Sequence, residues 1–331
     1  MNQRWPVRAA IGTLVALPML AAGFATSSQA RAHRSSAAEA GHHSTPVVLR
    51  PSYSAATTPS SPSASASPAL PARRKARPII GHYRVVAYYG GPDGPALGTL
   101  GNGTPDQMAI RIQQSAAIWS HYGKPVLPAM ELIATVAQGS PGSSGTYSHS
   151  IPATAVQRYL AAAHRHHMLL ILDFQPGRGE FLPQVQAMSQ FLLDPSVSVA
   201  LDPEWKLGPH QVPATVIGSS SAASIDAVIR YVSSLVLAHH LPDKLLLVHQ
   251  FRLSMLPDRG RISAAPGVEL VLHADGFGTP GEKLATWNAM DVPGRPWGTG
   301  FKLFLKQDRP MLLPAQVVAM VRPAPDVITY Q

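Results

Sequence analysis

The chain has 331 residues, 45 % of them apolar and 14 % charged, with 32 prolines and no cysteine. The lack of thiols excludes a disulfide framework, a cysteine-ligated metal, an iron–sulfur cluster, a thiol nucleophile and a lipidated cysteine. The net charge is +9, but nine of the 27 Lys and Arg precede residue 79 with one acid, Glu39, leaving 18 basic and 17 acidic groups beyond, so no basic nucleic-acid-binding face is expected.

Residues 1–30 read as a secretory signal. Arg4 and Arg8 supply the positive start, an apolar run covers 9–25, and Ser28 and Ala30 are small enough for a signal peptidase. Pro18 and several small residues interrupt the run, which is short for a span, so cleavage with no stable membrane span is expected. Residues 31–78 are rich in Ser, Ala, Pro and Thr and cannot bury enough apolar surface to offset ordering entropy. They read as a disordered linker, with RRKAR (73–77) as a basic patch that is solvated or touches anionic wall polymer.

From residue 79 to 331 the pattern alternates strand and helix. HYRVVAYYG (82–90) is a strand, and 104–123 a helix with Thr104 as N-cap, Pro105 in the first turn and Gly123 past its end. PVLPAMELIATV (125–136) is a second strand, 151–167 a helix, MLLILDFQ (168–175) a third strand and 180–194 a helix. VSVALDPEW (197–205) is the fourth strand, 221–240 a helix, and KLLLVHQF (244–251) and GVELVLHADG (267–276) the fifth and sixth strands. A helix over 281–290, a strand over 299–306, a helix over 312–322 and a last strand over 325–331 complete the chain. Eight continuous apolar strands alternating with helices over about 250 residues predict a (β/α)8 TIM barrel, with an open doubly wound sheet as the competitor. Two irregularities are a poor helix signal at 252–266 and no helix after the eighth strand.

A barrel carries its chemistry at the C-terminal ends of its strands. Those ends hold Tyr88 and Tyr89; Glu131; Asp173 and Gln175; Asp202, Glu204 and Trp205; His249 and Gln250; His273 and Asp275; and Lys306 with Asp308. Period two along the fourth strand places Ser198, Ala200, Asp202 and Glu204 on one face, so two carboxylates would stack at the mouth and raise at least one pKa. Glu204 is then the candidate proton donor. That pair cannot flank a sugar from both sides, so Asp173 or Asp275 is the candidate base or nucleophile. Glu131, Gln175, His249, Gln250, His273, Lys306, Tyr88, Tyr89 and Trp205 are candidate substrate contacts. Structural roles compete: Asp202 capping its loop, Asp173 paired with Arg178, Trp205 packed as a lid. His164, His166, His167, His239 and His240 follow helix C-termini and read as surface residues.

His249 and His273 end neighbouring strands, a placement that resembles the metal-binding amidohydrolases. The first strand lacks that family's His-x-His pair, reading Val85-Val86-Ala87-Tyr88-Tyr89, and the fourth has acids in place of a bridging lysine. No metal and no cofactor are therefore assigned. G-x-S-x-G is absent, and the glycine-rich stretches lack P-loop spacing.

ALDPEW (200–205) is similar to the fourth strand of chitinase-like glycoside hydrolases, whose motif ends in Asp-x-Glu. The resemblance makes Glu204 the acid and Asp202 the residue that positions a substrate acetamide. Ser198 and Ala200 stand where that family has further acids. DFQPGRGEF, ALDPEWKLGP, LLLVHQFRLSML, HADGFG and PDVITYQ resemble secreted or wall-associated proteins of high-GC bacteria, which implies a barrel and an exported location but no established reaction. The expectation is an exported glycoside hydrolase-like barrel acting on a cell-wall or extracellular polysaccharide. The alternatives are a non-catalytic glycan-binding or wall-scaffold protein and a metal-dependent amide or ester hydrolase.

Overall fold

The computed structural model describes residues 78–92, 94–290 and 297–331. The expected leader and linker, apart from residue 78, lie outside the described residues. The strands are β1 (Arg84–Gly90), β2 (Val126–Ala137), β3 (Ser148–Ser150), β4 (Leu169–Phe174), β5 (Val197–Leu201), β6 (Lys244–Gln250), β7 (Val268–Ala274), β8 (Gly298–Leu303) and β9 (Val327–Tyr330). The helices are α1 (Pro105–Trp119), α2 (Ala153–Arg165), α3 (Phe181–Ala187), α4 (Ser189–Leu192), α5 (Ala222–Ala238), α6 (Pro280–Met290) and α7 (Pro314–Met320).

Eight of the strands pair in parallel in the order β1-β9-β8-β7-β6-β5-β4-β2, and β2 returns to pair with β1. The ring is closed, so the fold is a (β/α)8 barrel and the open sheet is excluded. β2 overshoots the ring, and β3 pairs with its far end in antiparallel register, Thr135 opposite Ser150 and Ala137 opposite Ser148. Among the described residues no helix is long and apolar enough to cross a membrane.

Side chains of opposite parity go to opposite faces of each strand. The interior takes Val85, Ala87, Ala129, Leu169, Ile171, Ala200, Leu245, Leu247, Val271 and Val327, which form one buried cluster. The other parity meets the helices. α1 buries Met108, Ala109, Ile112, Ala116 and Trp119, the spacing of one helical face. It starts as its sequence predicts: Thr104 and Gln107 form a reciprocal capping box, with Pro105 at the first position. Small interior residues make room for large neighbours. A Cβ on Gly300 would collide with the His273 ring.

Two expected elements differ, and the link with the poor helix signal is indeed without an α-helix. The fourth barrel strand, β5, stops at Leu201, because Pro203 supplies no N–H to the ladder, and Pro203–Trp205 form a 3-10 turn. Glu204 therefore does not follow the strand's alternation. The helix expected over 180–194 divides into α3 and α4 around Met188. The link after β6 holds 3-10 turns at Leu253–Met255 and Arg259–Arg261 and no α-helix.

Candidate functional site

Strand parity sends Tyr89, Glu131, Asp173, Asp202, His249, His273, Lys302 and Thr329 inward, above the apolar interior, and all eight are buried. Gln175 and Asp275, just past β4 and β7, join them.

Asp202 is held by one edge. Its Oδ2 accepts from Tyr89 OH at 3.0 Å and from Gln175 Nε2 at 3.2 Å, while Gln175 Nε2 also donates to Tyr89 OH at 3.0 Å. Gln175 is itself fixed, its Oε1 accepting from the Ala137 backbone N–H at 3.1 Å. Asp202 makes no capping bond to the turn that follows it.

His249 lies between two carboxylates, with Nε2 2.8 Å from Glu131 Oε1 and Nδ1 3.3 Å from Asp275 Oδ2. Thr329 donates its only hydroxyl proton to Glu131 Oε2 at 2.9 Å. His273 Nε2, 3.0 Å from the same Thr329 oxygen, must then be the donor, which fixes the tautomer of His273. The Lys302 ammonium lies 3.2 Å from Asp275 Oδ2 and 3.7 Å from the centre of the Tyr89 ring. Its strand end is anchored by Lys283, whose Nζ donates to the Gly276 and Lys302 carbonyls at 2.7 Å each and pairs with Asp308 at 3.0 Å.

These contacts split the protonation states. Burial pushes the Glu204 carboxyl well above its usual range, and the Asp202 and Asp275 charges push it further. Asp173 moves the same way through burial and Asp202. Burial would also raise Asp275, but Lys302 and then His249 hold it well below the usual carboxylate range. For Glu131 the imidazolium of His249 outweighs burial and brings the carboxyl to about 2. Burial and Lys302 act against protonation of His249, yet Asp202, Glu131 and Asp275 outweigh them and raise it. Burial and then His249 lower His273 to about 3, so it is the neutral member of the pair.

Glu204 reaches the cluster from the 3-10 turn. It is half-buried as a residue, but its Oε2 is buried. The ligand atoms of Asp202, Glu204 and Asp275 lie within 4.8 Å of one another, as do those of Asp173, Asp202 and His249. Either set is close enough to share an ion. However, both His249 nitrogens face carboxylates, and the Lys302 ammonium occupies the same cluster, so positive charge is already built in. Acid–base chemistry between a neutral and an ionised carboxyl needs no further group.

The structure brings Asp173, Asp202, Glu204, Asp275, Glu131, Gln175, Tyr89, His249 and His273 together. It does not bring Tyr88, whose hydroxyl is 2.7 Å from Ser115 on α1 and whose ring meets Tyr330 edge-on at 5.7 Å, on the helix side of the ring. Gln250 has the parity opposite to His249 and donates to the Arg252 carbonyl. Trp205 sits half-buried on the turn, and Lys306 is exposed on the loop after β8. Asp173 is not paired with Arg178, which donates to the Gln211 carbonyl and covers the Tyr147 ring. Lys302 and Thr329 escape sequence reasoning because each lies inside an apolar run. The signal was available: Lys302 shares parity with Gly298 and Gly300, against Phe301 and Leu303.

No family model matches the chain, and no curated protein matches it.

Proposed function

We propose that the chain is an exported glycoside hydrolase-like barrel that cleaves a cell-wall or extracellular polysaccharide by carboxylate acid–base chemistry. One observation carries this reading. Glu204 and Asp275 present oxygens within 4.8 Å of each other from different strand ends, and their surroundings displace the two carboxyls in opposite directions. A neutral carboxyl beside an ionised one is the division of labour that glycosidic cleavage requires.

In this reading Glu204, the less buried of the two, protonates the departing glycosidic oxygen. Asp275, kept anionic by Lys302 and His249, attacks or stabilises the anomeric carbon. A separation this short corresponds to the roughly 5 Å of retaining enzymes rather than the wider gap of inverting ones, which leaves room for a water. Asp202, fixed by Tyr89 and Gln175, orients the sugar, and the chitinase-like resemblance gives it the positioning of a substrate acetamide. The exported location and the polysaccharide rest on the N-terminal signal pattern and on that resemblance.

The test is to incubate the full chain with a panel of wall polysaccharides and measure new reducing ends, with Glu204→Gln as the control. Release that disappears in the variant is expected. Release untouched by the substitution, or none from any polymer, sinks the reading. Binding without turnover would leave a glycan-binding scaffold.

A further inference from the structure

The loop after β7 carries an aromatic ring in water on a fixed backbone. Phe277 follows Asp275 by two residues and stands between Gly276 and Gly278. Three hydrogen bonds hold its neighbours. The Gly276 carbonyl accepts from Lys283 Nζ at 2.7 Å, the Gly278 N–H donates to Asp308 Oδ1 at 3.0 Å, and the Gly278 carbonyl accepts from the Arg309 N–H at 3.3 Å. Gly278 has a φ of +133°, which side chains rarely adopt, and a Cβ there would meet the Glu282 carboxylate. A Cβ on Gly276 would meet Thr286 on α6. The two glycines let the loop lie against α6, while Phe277 stays 57 % exposed. A ring kept in water on so constrained a loop forgoes burial without gaining freedom, and it is already ordered for a ligand.

Contacts tie this ring to the mouth. It meets the Phe304 ring in an edge-to-face arrangement, with centres 5.6 Å apart and planes at 70°. Phe304 is buried, and the Lys302 ammonium lies 5.6 Å from its centre. The same ammonium is 3.2 Å from Asp275 Oδ2. Two side chains therefore link Phe277 to the carboxylate that the hydrolase reading places at the anomeric carbon. An edge-to-face contact covers at most one face of Phe277, and the exposure of the residue leaves the other open.

We infer that Phe277 is the stacking platform for a pyranose unit of the glycan, next to the unit attacked at Asp275. The platform stands on the contacts above; its occupant, a glycan, rests on the hydrolase reading. The face of an aromatic ring is the negative part of its quadrupole. A pyranose presents to it a face of C–H bonds polarised by the ring and hydroxyl oxygens, and keeps its hydroxyls at the edge. A protein partner would need about 800 Å² on its side, which one ring between two glycines does not supply.

The experiment follows binding and product release by the full chain with β-linked hexasaccharides of glucose, mannose and N-acetylglucosamine, in the parent and in Phe277→Ala, Phe277→Leu and Phe277→Tyr. Melting temperatures should match, because the ring is exposed. With the sugars that bind, Phe277→Ala and Phe277→Leu should each weaken binding about fivefold, the loss of one aromatic contact, and should raise KM by more than they lower kcat. Phe277→Tyr keeps the ring and should bind like the parent. Parent-like binding by Phe277→Ala overturns the inference, as does parent-like binding by Phe277→Leu, which is apolar but has no ring face. A parent dimer that Phe277→Ala dissociates, seen by sedimentation, assigns the ring to a second copy and overturns it too. Product release with KM untouched in Phe277→Ala sinks the platform and leaves the hydrolase reading standing. Ring-dependent binding without product release does the reverse, and neither binding nor release from any of the three sugars sinks both.

Discussion

Lys302 Nζ lies 3.2 Å from Asp275 Oδ2, with both side chains buried at the barrel mouth. This contact, with His249 Nδ1 3.3 Å from the same Asp275 oxygen, keeps one carboxylate ionised among several acids that burial drives toward the neutral form. Replacing Lys302 by Met should lower stability by about 3–5 kcal/mol, the range for leaving one partner of a buried pair uncompensated. Urea unfolding of the two proteins measures it. In any surviving activity, the acidic limb of the pH–rate profile should move to higher pH as Asp275 loses its cation.

Glu204→Gln keeps the shape of the side chain and removes its transferable proton. Turnover should fall about 10²–10⁴-fold. The melting temperature should stay unchanged or rise, because the raised carboxyl of Glu204 is already a cost to the fold at neutral pH. Parallel kinetics and thermal unfolding distinguish this outcome from simple misfolding, which would lower both.

Asp173 has a folded-state pKa above its unfolded one. The native state then holds a proton that the unfolded chain has released, so stability falls as pH rises from the unfolded value, near 3.9, toward the folded one. Asp173→Asn removes that dependence. The variant should be more stable than the parent at pH 7 and indistinguishable near pH 3, as denaturant midpoints at the two pH values will show.

His249 and His273 titrate in opposite senses, though their ring centres are 4.7 Å apart. The raised pKa of His249 adds stability fully present below about 6.5 and lost as pH rises through its folded value. His273, lowered to about 3, adds stability present above about 6.5 and lost as pH falls from there toward 3. Nitrogen-15 NMR at pH 7 should show both ring protons on His249 and only the Nε2 proton on His273. A neutral His249 at that pH would contradict the arrangement.

Gly300→Ala tests the packing under the site. The added methyl meets the His273 ring, which is pinned through Thr329 to Glu131. A loss of about 1–3 kcal/mol is expected from overpacking, measured by chemical unfolding.

Alternation of strand and helix pointed to a parallel sheet covered on both faces, and the pairing of β1 with β2 decided for the closed ring over the open sheet. The sequence pattern also placed the polar rim, because period two assigns each inward residue one by one: Glu131, Asp173, Asp202, His249 and His273 are all legible in this way. The pattern failed at Tyr88 and Gln250, where it cannot tell which of two adjacent polar residues faces in. It failed at Lys306 because a charge on a loop looks like a strand end, whereas Lys302 was hidden between Phe301 and Leu303. Glu204 was found by a wrong route, as an alternating strand residue, although it arrives from a 3-10 turn.

The sequence by itself determined that Glu131, Asp173, Asp202, His249 and His273 stand at the rim, since for these parity along an apolar strand is enough. Only the tertiary structure decided which of them carry protons, because Lys302 on β8 holds Asp275 ionised after β7, His249 on β6 does the same for Glu131 on β2, and at Asp173 and Glu204 burial and the neighbouring carboxylates outweigh the cations. Those pairings join residues far apart in the chain, and electrostatic energy follows distance in space rather than separation in sequence.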